Sequence, residues 1–173
     1  GIGVDTTGAT VLALDANDRP VRPAIMWMDV RAADQAERIA DTGDPALKYN
    51  GFGSVSAEWG LPKCLWLKEQ EPTTWREARH ICDATDWLIN RLTGEWTASI
   101  SVAAPKYHYD RDESGFPVGL LEAVTQRESG SLKASPCAAW KRYSAPSGEA
   151  TCTSAQTSPE VAFISTGAKE SVG

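Results

Sequence analysis

The chain has 173 residues, 42% of them hydrophobic, with a formal net charge of −6. That length buries one ordinary domain core with at most a second small lobe, and the acidic balance argues against nucleic acid or anionic lipid as the main partner. No run reaches the ~20 apolar residues of a membrane span and no basic stretch precedes an apolar one as in a signal peptide, so the chain reads as cytoplasmic, without a membrane partner.

Ile2–Val4 and Thr10–Leu14 read as two short apolar strands. The chain opens inside the first of them, on Gly and not Met, which reads as a piece whose upstream part lies elsewhere. Between the two lies Asp5-Thr6-Thr7-Gly8-Ala9-Thr10, a small-residue turn of the kind whose backbone N–H groups can cradle a phosphate. Asp15–Pro20 is a turn, because Asn and Asp bond their own backbone and Pro20 fixes the exit. A third strand is predicted over Ala24–Met28. Asp29 then stands where it can cap a helix over Val30–Asp41, with Gly43 in the left-handed position beyond its end.

Residues 44–56 read as a short helix and a loop. Ser56 is the expected N-cap of a helix running to about Gln70, with Leu61 and Leu65 facing inward. Pro72–Arg79 is another short helix and His80–Cys82 a short strand. Asp83 or Thr85 starts a helix over Asp86–Leu92 that Gly94 ends. Trp96–Val102 is strand-like, and Pro117–Val124 a brief helix. Helices alternating with strands indicate an α/β domain. The alternation stops near Val124: residues 125–173 hold 14 Ser or Thr in 49 positions and one of the seven tryptophans, without periodicity. That stretch reads as a divergent tail, disordered or altered in reading frame.

Cys64, Cys82, Cys137 and Cys152 are widely spaced, which favours reduced structural thiols over zinc ligands or disulfides. His80 and His108 are the only histidines, so no multi-His metal site exists and each reads as a structural residue.

Four stretches in order resemble the FGGY family of carbohydrate kinases. They are "GIGVDTTGAT", "AIMWMDVRA", "SVSAEWGLPKCLWL" and "ICDATDWLINRLTGEWTAS", the last followed by "APKYHYD" and "GFP". The resemblance covers residues 1–124 and is strongest to the ribulokinase-like, pentulose and pentitol branch. It implies a partial actin/hexokinase-like (ribonuclease-H-like) α/β domain, incomplete at both ends. It further implies transfer of the ATP γ-phosphoryl group to a sugar hydroxyl with Mg²⁺, chemistry that rests on positioning and charge stabilisation. The family's phosphate loop is Asp-x-Gly-Thr. In "DTTGAT" the glycine follows both threonines, so the turn matches the family's sugar-pocket turn instead. No Gly-Gly-x-Asp sequence occurs, so no catalytic base is assigned to this chain and ATP is not expected to bind it well. The intact enzyme is a candidate homo-oligomer.

Carried over residue by residue, the resemblance makes Thr6, Thr7, Asp29, Glu58 and Lys106 the candidate sugar-binding residues. Thr6 and Thr7 either line the pocket or serve only the turn. Asp29 either accepts from sugar hydroxyls or caps its helix. Glu58, beside Trp59, suits polyol recognition, against a bland role complementing the helix dipole. Lys106 offers an ammonium to a ketose oxygen or is an exposed lysine at a strand end. Trp27 reads as core, Lys63 as a surface or structural lysine. Asp86 and Trp87 hold their helix to its neighbours, and the Asp83/Asp86 pair is better explained by capping than by acid–base work. The function implied is a piece of a sugar kinase, inactive alone; the alternative is a sugar-binding remnant without catalysis.

Overall fold

The computed structural model of the chain describes residues 1–110, 117, 120 and 162–163. Its centre is an antiparallel pair, β1 (Val11–Leu14) and β2 (His80–Asp83), in register Val11 to Asp83 and Leu14 to His80. A two-residue strand, β3 (Ala162–Phe163), lies parallel to β2. Helices α1 (Ala33–Ala40), α2 (Gly60–Gln70), α3 (Pro72–Glu77), α4 (Ala84–Thr93) and α5 (Ile100–Tyr107) pack around these strands, and a 3₁₀ helix spans Pro45–Asn50.

Successive strand residues point to opposite faces, and here both faces are covered. Val11, Ala13 and Ile81 pack with Ile25, Cys64, Leu67, Ala78 and Tyr107 on the α2/α5 side. Leu12, Leu14 and Cys82 pack with Ala24, Ala84, Trp87 and Trp96 on the α4 side. Burial on both faces explains why β1 is an unbroken apolar run. A third cluster joins α1, the 3₁₀ helix and α2 through Ala36, Ile39, Leu47, Leu61, Leu65 and Leu120. Helix α2 belongs to two clusters, and Gly60 through Leu65 are all buried. A helix buried nearly all round is the central helix of its domain.

The junction of β2 and α4 follows its sequence closely. Asp83 caps α4, its carboxylate accepting from Thr85 N at 3.1 Å, and Asp86 reaches back to Asp83 N at 3.3 Å to close a capping box. Gly94 ends the helix at φ +77°. Trp87 Nε1 donates to the Asp18 carbonyl at 3.2 Å, which ties α4 to the turn after β1. Cys64 and Cys82 are buried free thiols.

Five expectations need correction. Ile2–Val4 is no strand: among the described residues it finds no ladder partner, and Ile2 is exposed. A β-branched pair does not form a strand without a neighbour to bond. Ala24–Met28 pairs with β1 only at Ile25, by the two Val11–Ile25 backbone hydrogen bonds of 2.9 Å. Trp96–Val102 is not a strand. Val102 N and Ala103 N both turn back to Ser99 O, and α5 begins at Ile100; the β-branched Ile100 and Val102 misdirect the reading. Asp29 does not cap α1, which begins at Ala33 with no side-chain cap, because Arg31 takes its carboxylate. Ser56 likewise caps a turn, accepting from Glu58 N at 3.2 Å, while α2 begins at Gly60 behind Trp59. Apart from Pro117, Leu120 and β3, the predicted helix over Pro117–Val124 and the tail over 125–173 lie outside the described residues.

Candidate functional site

The site is built on the turn that enters β1. Gly8 (φ +72°) and Ala9 (φ +59°) are consecutive left-handed residues. For alanine this conformation costs roughly 1 kcal/mol or more and needs outside support. That support is Lys63. Its Nζ donates to Ala9 O at 2.9 Å, Met26 O at 2.7 Å and Trp27 O at 2.9 Å. The side chain is wholly buried. Burial pulls its pKa down to about 8, with Asp29 and then Glu58 opposing the shift, so it stays protonated at neutral pH. Thr10 Oγ1 accepts from Trp27 N at 3.1 Å, a second tie between the same two segments.

Thr6 is engaged elsewhere. Its hydroxyl bonds Thr85 Oγ1, and Thr85 Oγ1 donates in turn to Asp83 Oδ1 at 3.1 Å. Since the Thr85 proton goes to the carboxylate, Thr6 is the donor in the first bond. Tyr107 OH donates to Asp83 Oδ2 at 3.3 Å, so Asp83 gathers hydroxyls from two directions. Thr6 thus anchors the turn to α4, while Thr7 is exposed.

Asp29 sits in the turn after Met26, its N–H donating to Met26 O at 3.0 Å. Arg31 Nε lies 2.9 Å from both of its oxygens, and this guanidinium holds the carboxyl below the usual range. Arg31 also stacks 4.8 Å from the Trp66 ring centre, so the pair is held on two sides. Trp27 is 39% exposed, not core, and Met26, Met28 and Val30 beside it are exposed as well.

Glu58 lies in the loop before α2 and is half-buried; among the described residues its carboxylate has no hydrogen-bond or ion-pair partner. Lys106 stands in the last turn of α5, not at a strand end, with Nζ 5.5 Å from the Trp59 ring centre. Buried His108 also meets the Trp59 ring, edge-on at 5.8 Å. Burial pushes His108 down to about 4, so it is neutral at pH 7.

Contacts of Lys63 and Trp59 relate Asp29, Glu58 and Lys106, while Thr6 turns to Thr85 on α4 and Thr7 is exposed. Lys63 binds the backbone of both the 5–10 turn and the segment leading to Asp29, with Glu58 in electrostatic range. Trp59 links Glu58 in sequence to Lys106 in space. Of the two roles the sequence leaves to Lys63, surface or structural, the buried side chain takes the structural one, though its carbonyl partners are not visible in the sequence. The available signal was a charge set inside the apolar run "GLPKCLWL", where a solvated lysine would interrupt a buried helix.

A sheet flanked by helices, with polar groups gathered at strand and helix ends, is the architecture of a small-molecule site on an α/β domain. Residues 1–129 match the N-terminal domain of the FGGY family of carbohydrate kinases, and the chain belongs to that family. It is 43% identical over 89 residues to a xylulose kinase of Streptomyces coelicolor, covering 50% of this chain and 18% of that protein. It is 30% identical over 132 residues to a ribulokinase of Bacillus licheniformis, covering 68% and 24% respectively. Its fold is similar to the crystal structure of a xylulose kinase from Brucella ovis, with a TM-score of 0.57 and 26% identity over 68% of this chain and 24% of that one. The chain thus spans about a quarter or less of the length of these relatives. Among the described residues no helix is long and apolar enough to cross a membrane.

Proposed function

We propose that this chain forms the sugar-facing part of an ATP-dependent kinase that phosphorylates a pentulose or pentitol. The observation that carries the reading is the set around Trp59. Glu58 supplies a carboxylate without a partner among the described residues, and Lys106 supplies a half-buried ammonium whose contact there is an aromatic ring. A carboxylate accepts from paired hydroxyls, an ammonium donates to a ketose oxygen, and an aromatic ring offers an apolar wall to C–H groups. Asp29, ionised beside Arg31, and exposed Thr7 and Trp27 add groups at the neighbouring segments. Relatives named xylulose kinase and ribulokinase support a five-carbon ketose.

In the complete enzyme ATP would supply the γ-phosphoryl group to a sugar hydroxyl, the bond to ADP breaking and the hydroxyl proton being lost, and Mg²⁺ would supply charge neutralisation. Among the described residues no group of three His, Cys, Asp or Glu side chains could hold a metal ion. The chain's own residues bind and orient the sugar. The test pairs two measurements on the protein captured from its own cells. Its intact mass is expected to exceed 18.6 kDa, and the captured protein to release ADP from ATP with D-ribulose, D-xylulose or a pentitol. A mass of 18.6 kDa with no turnover but retained sugar binding would establish the non-catalytic reading instead.

A further inference from the structure

We propose that Lys63 is the positioning residue of the sugar site, its ammonium locking the 5–10 turn and the 26–29 segment into one preset unit. The use of that unit for sugar rests on the function proposed above; the lock itself does not.

An ammonium has three N–H donors, and Lys63 meets three backbone carbonyls at 2.7–2.9 Å from two segments 36 to 54 residues away in sequence. Few other contacts join these two segments to each other. Ala9 is left-handed, and Met26 and Trp27 lie beyond the single bridge at Ile25 with their side chains exposed. Besides Lys63 the tie between them is the Trp27 N–Thr10 Oγ1 bond; separately, Thr6 and Thr10 hold the turn to α4 through Thr85 Oγ1 and Ala84 N, and Arg31 holds Asp29. Ala9 is buried, but apolar packing does not pin the Met26 and Trp27 backbone, whose side chains face solvent, so the polar clamp does.

Lysine suits the task better than arginine. Its compact point charge can face three carbonyls that converge on one atom, whereas the planar guanidinium fork spreads its donors apart. The charges facing it are Asp29 on the 26–29 segment, Glu58 before α2 and Asp83 at the end of β2. None forms an ion pair with Lys63. The ammonium is committed to backbone, and Glu58 remains available to a ligand.

Two measurements test this. In the wild-type chain, NMR should show a slowly exchanging Lys63 ammonium coupled through hydrogen bonds to the carbonyl carbons of Ala9, Met26 and Trp27. In Lys63→Met, amide exchange protection should fall about tenfold or more at Val11 and at Trp27–Asp29 together, while Trp87–Leu92 of α4 keep theirs. A core control, Ile39→Ala, should lower stability without that selective loss. A rapidly exchanging ammonium in the wild type, readable even if Lys63→Met does not fold, overturns the proposal. So does a variant in which one segment loosens and the other does not.

Titration with D-ribulose and D-xylulose separates this inference from the function it serves. If the wild-type chain binds neither sugar while both segments loosen in Lys63→Met, the sugar reading fails and the lock stands. If the wild type binds and Lys63→Met binds equally well with loosened segments, Lys63 positions nothing for the ligand and the inference fails.

Discussion

Gly60 and Tyr107 set how α2 meets α5, and with it the placement of Glu58, Lys63 and Lys106. A Cβ on Gly60 would clash with Cζ and Cε1 of the Tyr107 ring. The ring cannot simply swing away, because Tyr107 is buried and its hydroxyl donates to Asp83. Gly60→Ala must therefore displace the ring or separate the helices. Overpacking of this kind costs about 1–3 kcal/mol, and losing a hydrogen bond to a charged group adds about 1.5–3 kcal/mol. The gain in helix propensity, at most about 1 kcal/mol, offsets part of this. The net expectation is a loss of about 2–4 kcal/mol, read as a lower urea midpoint with tryptophan fluorescence as the probe. Tyr107→Leu makes room, so Gly60→Ala should cost little more in that background, a coupling of about 2 kcal/mol or more in the double-mutant cycle. Strictly additive effects, or a Gly60→Ala chain as stable as wild type, would refute the packing argument.

Other outcomes follow from the same geometry. His108, held near 4 by burial, binds its proton less readily folded than unfolded, so its contribution is complete above about pH 6.5 and is lost as pH falls toward 4. The loss amounts to about 3 kcal/mol; His108→Asn, which also tolerates the φ of +54°, should flatten that part of the stability-versus-pH curve. Lys63 is lowered the same way at alkaline pH, so the difference in stability between wild type and Lys63→Met should shift in favour of wild type as pH rises from 8 to 10.5. Asp83→Ala removes the α4 cap and the acceptor for Tyr107 and Thr85 at once, and thermal unfolding should show a loss of at least about 2 kcal/mol. Lys106→Met should weaken pentulose affinity about tenfold and leave the unfolding free energy measured in urea within about 0.5 kcal/mol, since its contact is with a ring at a half-exposed site.

Much of the fold was legible because local chemistry and tertiary packing agree. Asp83, Asp86 and Gly94 bound α4 through a capping box and a left-handed stop that depend on residues three apart and one turn beyond. The short β1 and β2 announce themselves as apolar runs because both faces are covered. Where packing overrides propensity the reading fails. Ile100 and Val102 suggest a strand, yet they open α5, whose Tyr107 fills the space that Gly60 leaves. Asp29 has the composition of a cap, but a neighbouring arginine two residues on decides its partner. In the site, Glu58 and Lys106 could be nominated from motif order alone. Lys63 could not be assigned its three carbonyls, because a side chain's backbone partners 36 to 54 residues away leave no local pattern.

The central claim is that Glu58 and its neighbours recognise a sugar. The most direct measurement is calorimetric titration of D-ribulose and D-xylulose into the wild-type chain and into Glu58→Gln. The account predicts saturable binding by the wild type and about tenfold weaker binding by Glu58→Gln at unchanged stability, the loss expected when charge-assisted hydrogen bonds to hydroxyls become neutral ones. Equal affinity in both chains, or no binding by a demonstrably folded wild type, would contradict it.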